Sequence, residues 1–407
     1  MRAVWLYLLL GLGVGLDPGD GSDVVVLEGG KRLEGRVVYE DRELLILRQG
    51  SRDTEVEMRT VERVDSLVRN LDALLDRDLK ASSTDVGESH MLAEQARESG
   101  LPGEAEVFAW RMLAKDPANE TAHRFLEHKK RTTGWAVPLP GRAAVPFDKR
   151  LTLAKDWGNA WEFSTLHYRL RTNMPLDQAL HLAIDLERLY LAFFELFAVE
   201  LRLFEICEPM NVQIHADASS YPESANEVGR YEASNDTLYI DASVRFSMEV
   251  LVHEATHQLL YDTAIRERTY SGQIPGWLDE GLAEYVAGCA VGGPHQLHFE
   301  PGRVNMARFR THAEAEEPYS LSRILAFSSA DFWTSSRQDL KYAQVYTLVH
   351  FCLNADQARH RAAFFEFLRG AYRGQSSPTD FKKCLSVEEE EEWEKAWMRY
   401  VEERAYK

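Results

Sequence analysis

The chain has 407 residues, of which 45% are hydrophobic and 28% are charged, and its formal net charge is −18. This composition is typical of a folded globular protein of two to four units, and it excludes a disordered or fibrous chain. The acidic balance argues against a nucleic acid or an anionic membrane surface as partner, since both would repel the protein.

The first residues combine Arg2 with an apolar run from Ala3 to Leu16, which is the pattern of a secretory signal peptide. The run is too short to span a bilayer, and no later run approaches that length. We therefore expect residues 1–16 to be a signal peptide and the mature chain to be exported, to the periplasm, the cell envelope or the medium, without an integral membrane span. The cleavage signal is weak, which leaves an uncleaved anchor or a buried strand as the alternative.

Four cysteines are scattered along the chain without the C-x-x-C spacing of a zinc cluster: Cys207, Cys289, Cys352 and Cys384. An oxidising compartment would permit one or two disulfides, and four free thiols are the alternative.

Between Val24 and Leu67, apolar and polar residues alternate between turn signals at 29–30, 41–42 and 50–51. This pattern predicts a small β domain over residues 17–68, a meander or barrel of about five strands. It is similar to the SH3-like and Sm-like barrels that precede many catalytic domains.

Residues 69–135 have a helical pattern that resembles one tetratricopeptide-type hairpin, carried by Ala93, Ala96, Ala105, Ala109 and the stop at Asp116-Pro117. A single repeat cannot bury its own apolar face, so we expect it to pack on a neighbour. We expect these two N-terminal modules to bind protein partners or act as spacers. The stretch Thr132–Pro146, rich in glycine and proline, predicts a boundary between units.

After that boundary, the pattern predicts a strand from Trp161 to Thr172 and a long helix from Leu176 to Leu203. Two further strands follow in the segments MNVQIHAD and DTLYID, and the second ends near Asp241. A helix from Phe246 to Tyr261 comes next.

That helix contains the segment HEATH. His253 and His257 are four residues apart, so a helix places both imidazoles on one face, where they can share a metal ion about 2 Å from each nitrogen. Glu254 points about 100° away from His253, which suits a general base that does not itself bind the metal.

A catalytic zinc has three protein ligands and one open position. The segment IPGWLDEGLAEYVAG supplies the missing donor, because Pro275 opens a second helix that carries Glu280 and Glu284. Glu280 would complete a His/His/Glu set. Glu284, one turn later, could accept the remaining ring N–H of His253 and fix its tautomer.

The segments HEATH and WLDEGLAEY together resemble the gluzincin zinc metallopeptidases, the clan of thermolysin-like proteases and HExxH aminopeptidases. With GRYEASNDTLYID and YAQVYTLVHF in the same order, the chain is similar to a poorly characterised family of exported bacterial peptidase-like proteins with N-terminal accessory domains. The likeness covers about Trp161 to Val401. It implies zinc as cofactor, held by His253, His257 and Glu280, with Glu254 as base.

Two variants of this chemistry are disfavoured. The metzincin pattern needs a third histidine in H-x-x-G-x-x-H, whereas QLLYDTAIRE follows His257. The aminopeptidase anchor G-x-M-E-N is absent as well, so an endopeptidase is the better expectation.

An oxyanion donor is expected from a later helix. The segment YAQVYTLVH offers Tyr342, Tyr346 and His350 along one helical face, and we choose Tyr342, although an aromatic stripe at this spacing also suits core packing. By resemblance alone, GRYEASNDTLY is expected to form the substrate-binding edge strand.

The sequence thus predicts an α+β multidomain protein: a small N-terminal β-barrel, a helical hairpin, a gluzincin-like peptidase lobe over residues 136–300 and a helical C-terminal lobe over 301–407, where Ser386 caps the last helix. The predicted function is that of a zinc-dependent metallopeptidase that acts on a peptide or protein substrate. The alternative is a catalytically inactive peptidase-like binding or scaffold protein with a structural metal site.

Overall fold

A computed structural model describes residues 22–81, 85–132, 134–139, 142–222, 228–266, 274–293, 296–334 and 336–406. The predicted signal peptide lies outside these residues. The chain is an α+β protein with an N-terminal sheet and a helical C-terminal part, as predicted. The division of the chain at residues 16, 68, 135 and 300 stays a prediction.

The N-terminal sheet has the five strands that the alternation predicts: β1 (Asp23–Leu27), β2 (Arg32–Glu40), β3 (Leu44–Gln49), β4 (Arg52–Glu57) and β5 (Val61–Asp65). All are antiparallel in the order β4-β3-β2-β1-β5. The predicted barrel is wrong: β4 and β5 form no ladder with each other, so among the described residues the sheet is open. Alternation fixes which face of each strand is buried, but it does not fix whether the two edges meet.

Four helices follow: α1 (Leu67–Lys80), α2 (Val86–Glu98), α3 (Pro102–Lys115) and α4 (Glu120–Phe125). The hairpin of α2 and α3 packs on a neighbouring helix, α6 (Leu176–Leu201), as predicted. Buried ion pairs join α1 to α3 and to α6, since Asp78 accepts from Arg111 at 2.5 Å and from Arg188 at 2.6 Å. The hairpin therefore shares one hydrophobic core with the following lobe.

The stretch predicted as a boundary is not irregular. It contains β7 (Gly134–Leu139) and β8 (Arg142–Pro146), which form a three-stranded antiparallel sheet with β6 (Lys129–Arg131). Helix α5 (Phe147–Leu153) follows. Val137 and Phe147 belong to the same core as α3 and α6, so apolar packing continues across the stretch.

The central sheet contains β9 (Trp161–Ser164), β10 (Tyr168–Thr172), β11 (Met210–His215), β12 (Gly229–Glu232) and β13 (Thr237–Asp241) in the order β12-β13-β11-β10-β9. The three inner strands are parallel, and the two edge strands are antiparallel to them. The single strand predicted from Trp161 to Thr172 is wrong. The chain reverses at residues 165–167, where the backbone N–H of Thr165 donates to the carbonyl oxygen of Tyr168, and forms the hairpin β9–β10.

Two helices after the sheet carry the predicted metal ligands: α8 (Met248–Arg266), which follows the short α7 (Ala242–Arg245), and α9 (Gly276–Cys289). A small hairpin of β14 (Ala290–Val291) and β15 (His298–Phe299) leads to the helical part: α10 (Met306–Ala313), α11 (Leu321–Ile324), α12 (Ser329–Trp333), α13 (Gln338–Asn354), α14 (Arg361–Ala371), α15 (Pro378–Cys384) and α16 (Glu390–Ala405).

Ser386 does not cap α16. It has a left-handed backbone with φ of 53°, and Glu389 occupies the N-cap position without a side-chain hydrogen bond. All four cysteines are free thiols. Among the described residues, no helix is both long and apolar enough to cross a bilayer.

Candidate metal site

Helices α8 and α9 pack against each other and bring the two predicted ligand segments together. The side chains of α9 are buried along its whole length except at Asp279. Its close approach to α13 depends on Gly281, where a Cβ would lie 2.8 Å from Cγ2 of Val349. This contact brings α13, with Tyr342 near its start, beside the histidine helix.

The three predicted ligands converge. The Nε2 atoms of His253 and His257 are 3.2 Å apart, and Oε2 of Glu280 lies 3.2 Å from the first and 3.7 Å from the second. Ligand atoms about 2.0–2.1 Å from a tetrahedral zinc are separated by about 3.3 Å. The triangle therefore has the size of three sites around one zinc ion.

The outer nitrogens of both imidazoles face carboxylates. Nδ1 of His257 lies 2.9 Å from Oδ1 of Asp279, and Nδ1 of His253 lies 3.4 Å from Oε1 of Glu284. With Nδ1–H directed at these acceptors, each Nε2 presents a lone pair to the centre of the triangle. Two lone pairs and a carboxylate facing one another repel, unless a cation or a proton lies between them.

Glu280 provides a second sign that the site suits a cation. Its Oε2 is buried and has no hydrogen-bond partner among the described residues, although two imidazole nitrogens lie within 3.7 Å. A buried carboxylate oxygen is costly unless it is paired or binds a metal. The donor set of two imidazoles and one carboxylate suits zinc. These residues thus fit the predicted metal.

Sequence reasoning missed two residues of the surrounding shell. Asp279 immediately precedes the predicted ligand, and only the packing of α9 on α8 directs it at His257. Arg308 of α10 donates to both oxygens of Glu284, from Nε at 2.7 Å and from Nη2 at 2.8 Å. Since bidentate pairs fix orientation, Arg308 holds the carboxylate that faces His253. No local motif marks an arginine 24 residues away.

The charges of the site follow from a balance between burial and the neighbouring carboxylates. Burial opposes protonation of His253, but the carboxylates of Glu280 and Glu284 outweigh it and hold the pKa of His253 well above its ordinary value. For His257, burial is outweighed by Asp279 and Glu280, and the pKa rises to about 9. Burial raises the pKa of Glu254, although both histidines oppose the rise. The acidic shell therefore favours a positive charge at its centre.

Glu254 lies beside the edge of the central sheet. The segment GRYEASNDTLY forms β12 and β13, and β12 is an edge strand, as expected. A Cβ on Gly229 would lie 2.8 Å from Cγ of Glu254, so only glycine lets the strand pass so close to this carboxylate. Sequence reasoning missed Gly229, because a lone glycine at the start of a strand carries no specific signal.

A family model described as "Protein of unknown function (DUF1570)" matches residues 247–378. The match begins at the histidine helix and includes all the predicted ligands, Glu254 and Tyr342. No curated protein and no solved structure matches the chain.

The three candidate oxyanion donors on α13 have different surroundings. The hydroxyl of Tyr346 accepts from the backbone N–H of Asn305 at 2.8 Å and lies 3.1 Å from the carbonyl oxygen of Arg303. His350 is buried between the hydroxyl of Tyr400 and the carbonyl oxygen of Gly302. Both side chains are thus fixed in the core.

Tyr342 is the candidate that faces the metal site. Its ring centroid lies 6.1 Å from that of His253, and the guanidinium of Arg308 lies 5.5 Å over its ring. Burial, together with the carboxylates of Glu280 and Glu284, raises the pKa of Tyr342 above its ordinary value. The hydroxyl therefore keeps its proton and can act as a hydrogen-bond donor.

A cavity of about 560 Å³ lies elsewhere, at the carboxyl ends of β10 and β11. Its lining is mostly apolar and includes Phe147, Leu151, Trp161 and Met174. None of the residues of the candidate metal site lines it.

Proposed function

We propose that the protein is a zinc-dependent metallopeptidase that hydrolyses internal bonds of a peptide or protein substrate. The observation that carries this proposal is the convergence of His253, His257 and Glu280 on one point, with Glu254 beside them and outside the ligand set. A structural zinc site is usually closed by four cysteine or histidine ligands. The triad here has three donors and no thiol, which favours an open, catalytic position.

Each residue then has a distinct role. His253, His257 and Glu280 hold the metal, which supplies Lewis-acid activation of a water molecule and of the scissile carbonyl group. Glu254 accepts the proton of the attacking water and passes it to the departing amine. Its raised pKa brings it closer to the range in which a carboxylate can both take and return a proton.

The neighbouring residues support this chemistry. Tyr342 donates a hydrogen bond to the oxyanion that develops at the attacked carbonyl. Asp279 and Glu284 fix the two imidazoles, and Arg308 fixes Glu284. The edge strand β12 offers backbone groups to which an extended peptide can add as a further strand.

The first experiment measures the metal content of the purified, dialysed protein by elemental mass spectrometry, beside a Glu280→Ala variant. We expect about one zinc per wild-type chain and weakened retention in the variant, since one of three ligands is lost. Absence of tightly held metal in the wild type, after zinc has been offered, would contradict the proposal. Glu366→Ala, a change on α14 outside the site, serves as a control.

We also propose that the protein is exported, which rests on residues 1–16 alone. Expression of the full chain with a C-terminal tag tests this by fractionation and N-terminal sequencing. A mature N-terminus shortly after residue 16 is the expected result, and a cytoplasmic chain that begins at Met1 would overturn it.

A further inference from the structure

An aromatic pair lies one helical turn beyond the metal ligands. Tyr261 follows His253 by eight residues and His257 by four, so α8 presents all three on the same face. Its ring centroid lies 5.5 Å from that of Tyr231 on β12, with the two planes tilted by 57°. Tyr261 is 38% exposed, whereas most large apolar side chains of the described residues are buried.

The hydroxyl of Tyr231 is fixed by two carboxylates. It lies 3.2 Å from Oδ1 of Asp236 and 3.5 Å from Oδ1 of Asp262. These contacts satisfy the polar end of the side chain and fix the direction of the ring. The pair is therefore a preformed aromatic surface that needs little ordering to bind a ligand.

The register of β12 relates this surface to Glu254. Side chains two residues apart in a strand share a face, so Tyr231 lies on the same face as Gly229, whose Cα approaches Glu254. β12 has no further strand on its outer side among the described residues. In a peptide that pairs with this edge, the residue opposite Gly229 lies beside Glu254. The peptide residue opposite Tyr231 lies two positions further along the peptide, and its side chain faces Tyr231 and Tyr261.

We infer that Tyr231 and Tyr261 form a specificity subsite for a large apolar or aromatic side chain of the substrate, two residues from the residue beside Glu254. This inference rests on the proposed peptidase function. The carboxylates of Asp236 and Asp262 lie behind the rings, so an acidic side chain is disfavoured at the same position.

The test uses heptapeptides of one sequence that carry Phe, Ala or Asp at a single position, with that position moved along the peptide. Binding is measured by fluorescence anisotropy on the zinc-loaded Glu254→Gln variant, which needs no turnover. For one placement, we expect Phe to bind about three to ten times more tightly than Ala, with Asp the weakest. Tyr261→Ala in this background should remove the preference for Phe, and Tyr261→Phe should keep it.

Tyr406→Ala is the matched control, since Tyr406 is 65% exposed at the end of the chain and should not affect the preference. Zinc content, measured in each variant, reports on folding of the site. Equal affinity for Phe and Ala at every placement, or a preference that persists in Tyr261→Ala, would overturn the subsite.

Mapping of wild-type products by mass spectrometry then separates the two proposals. Cleavage at a bond that keeps a constant distance from Phe as the Phe is moved supports both. A Phe preference in binding without hydrolysis by the zinc-loaded wild type supports the subsite and overturns the peptidase function.

Discussion

Two clusters of histidine and glutamate among the described residues differ in how their polar atoms are satisfied. In the candidate metal site, His253, His257 and Glu280 direct ligand atoms at a common point. In a second cluster, formed by Glu104, His167, Glu187, Tyr190 and Glu205, the polar atoms are directed mainly at one another and at the backbone.

The carboxylates of the second cluster accept short hydrogen bonds from other groups of the protein. Glu187 accepts from the backbone N–H of His167 at 2.7 Å and lies 2.6 Å from its Nδ1. The hydroxyl of Tyr190 donates to Glu205 at 2.6 Å, and Glu104 accepts from the backbone N–H of Leu166 at 2.8 Å. Both side chains of the His167–Glu187 pair are fully buried.

Residue types alone therefore do not identify a candidate metal site. The second cluster is also rich in ionisable groups, but its carboxylates are hydrogen-bonded within the protein, and Nε2 of His167, which has no hydrogen-bond partner among the described residues, faces no second imidazole. The first cluster directs three ligand atoms at one point, and Oε2 of Glu280 has no hydrogen-bond partner among the described residues.

Glu254→Gln should leave the zinc content unchanged and lower turnover of a peptide substrate by about 10²- to 10⁴-fold, because the amide cannot accept the proton of the attacking water. Steady-state kinetics with a fluorogenic peptide, alongside elemental analysis, measures both quantities. Retained turnover would remove Glu254 from the mechanism.

His167→Ala should lower the free energy of unfolding by about 3 kcal/mol, because it leaves the carboxylate of Glu187 buried without its partner. The matched variant His257→Ala should cost less, about 1 kcal/mol in zinc-free buffer, because its carboxylate partner Asp279 keeps 33% of its side chain exposed to solvent. Urea unfolding in the presence of a chelator compares the two. Similar losses in both variants would mean that the clusters are equivalent structural elements.

Asp279→Ala should weaken zinc affinity by about 10- to 100-fold, because the imidazole of His257 loses the acceptor that orients it. Asp279→Asn keeps an acceptor oxygen and should lose less. Competition with a chromophoric chelator gives the affinities. An unchanged affinity in Asp279→Ala would show that His257 is oriented by packing alone.

Glu104→Gln tests the pH dependence of the second cluster. Burial and the nearby Glu187 raise the pKa of Glu104 from 4.5 to about 8. Because the folded state binds this proton more tightly than the unfolded state, Glu104 destabilises the protein increasingly as the pH rises from about 4.5 to 8.

The amide cannot titrate, so the stability of the variant relative to the wild type should rise across this window, by roughly 1 kcal/mol for each pH unit. Urea unfolding at pH 5 and pH 8 measures the change. A stability difference that does not vary between the two pH values would show that Glu104 does not titrate in this range.

Much of the site is readable in the sequence, because its signals are local. The four-residue spacing of His253 and His257 fixes their common face on a helix, and Pro275 marks the start of the helix that carries Glu280. The order of strand, long helix, strands and histidine helix also agrees with the structure. Periodicity of apolar residues reports which face is buried, and that is enough to identify elements of this length.

The remaining features depend on contacts between distant segments. The open edges of the N-terminal sheet and the reversal at residues 165–167 are decided by what packs beside them. So is the position of Tyr342 beside His253, while Tyr346 and His350 are fixed in the core. The same holds for Arg308, which reaches Glu284 from another helix, and for Gly229, which matters only because β12 passes Glu254. Spacing along one element determines which side chains share a face, whereas only the tertiary structure determines which faces meet.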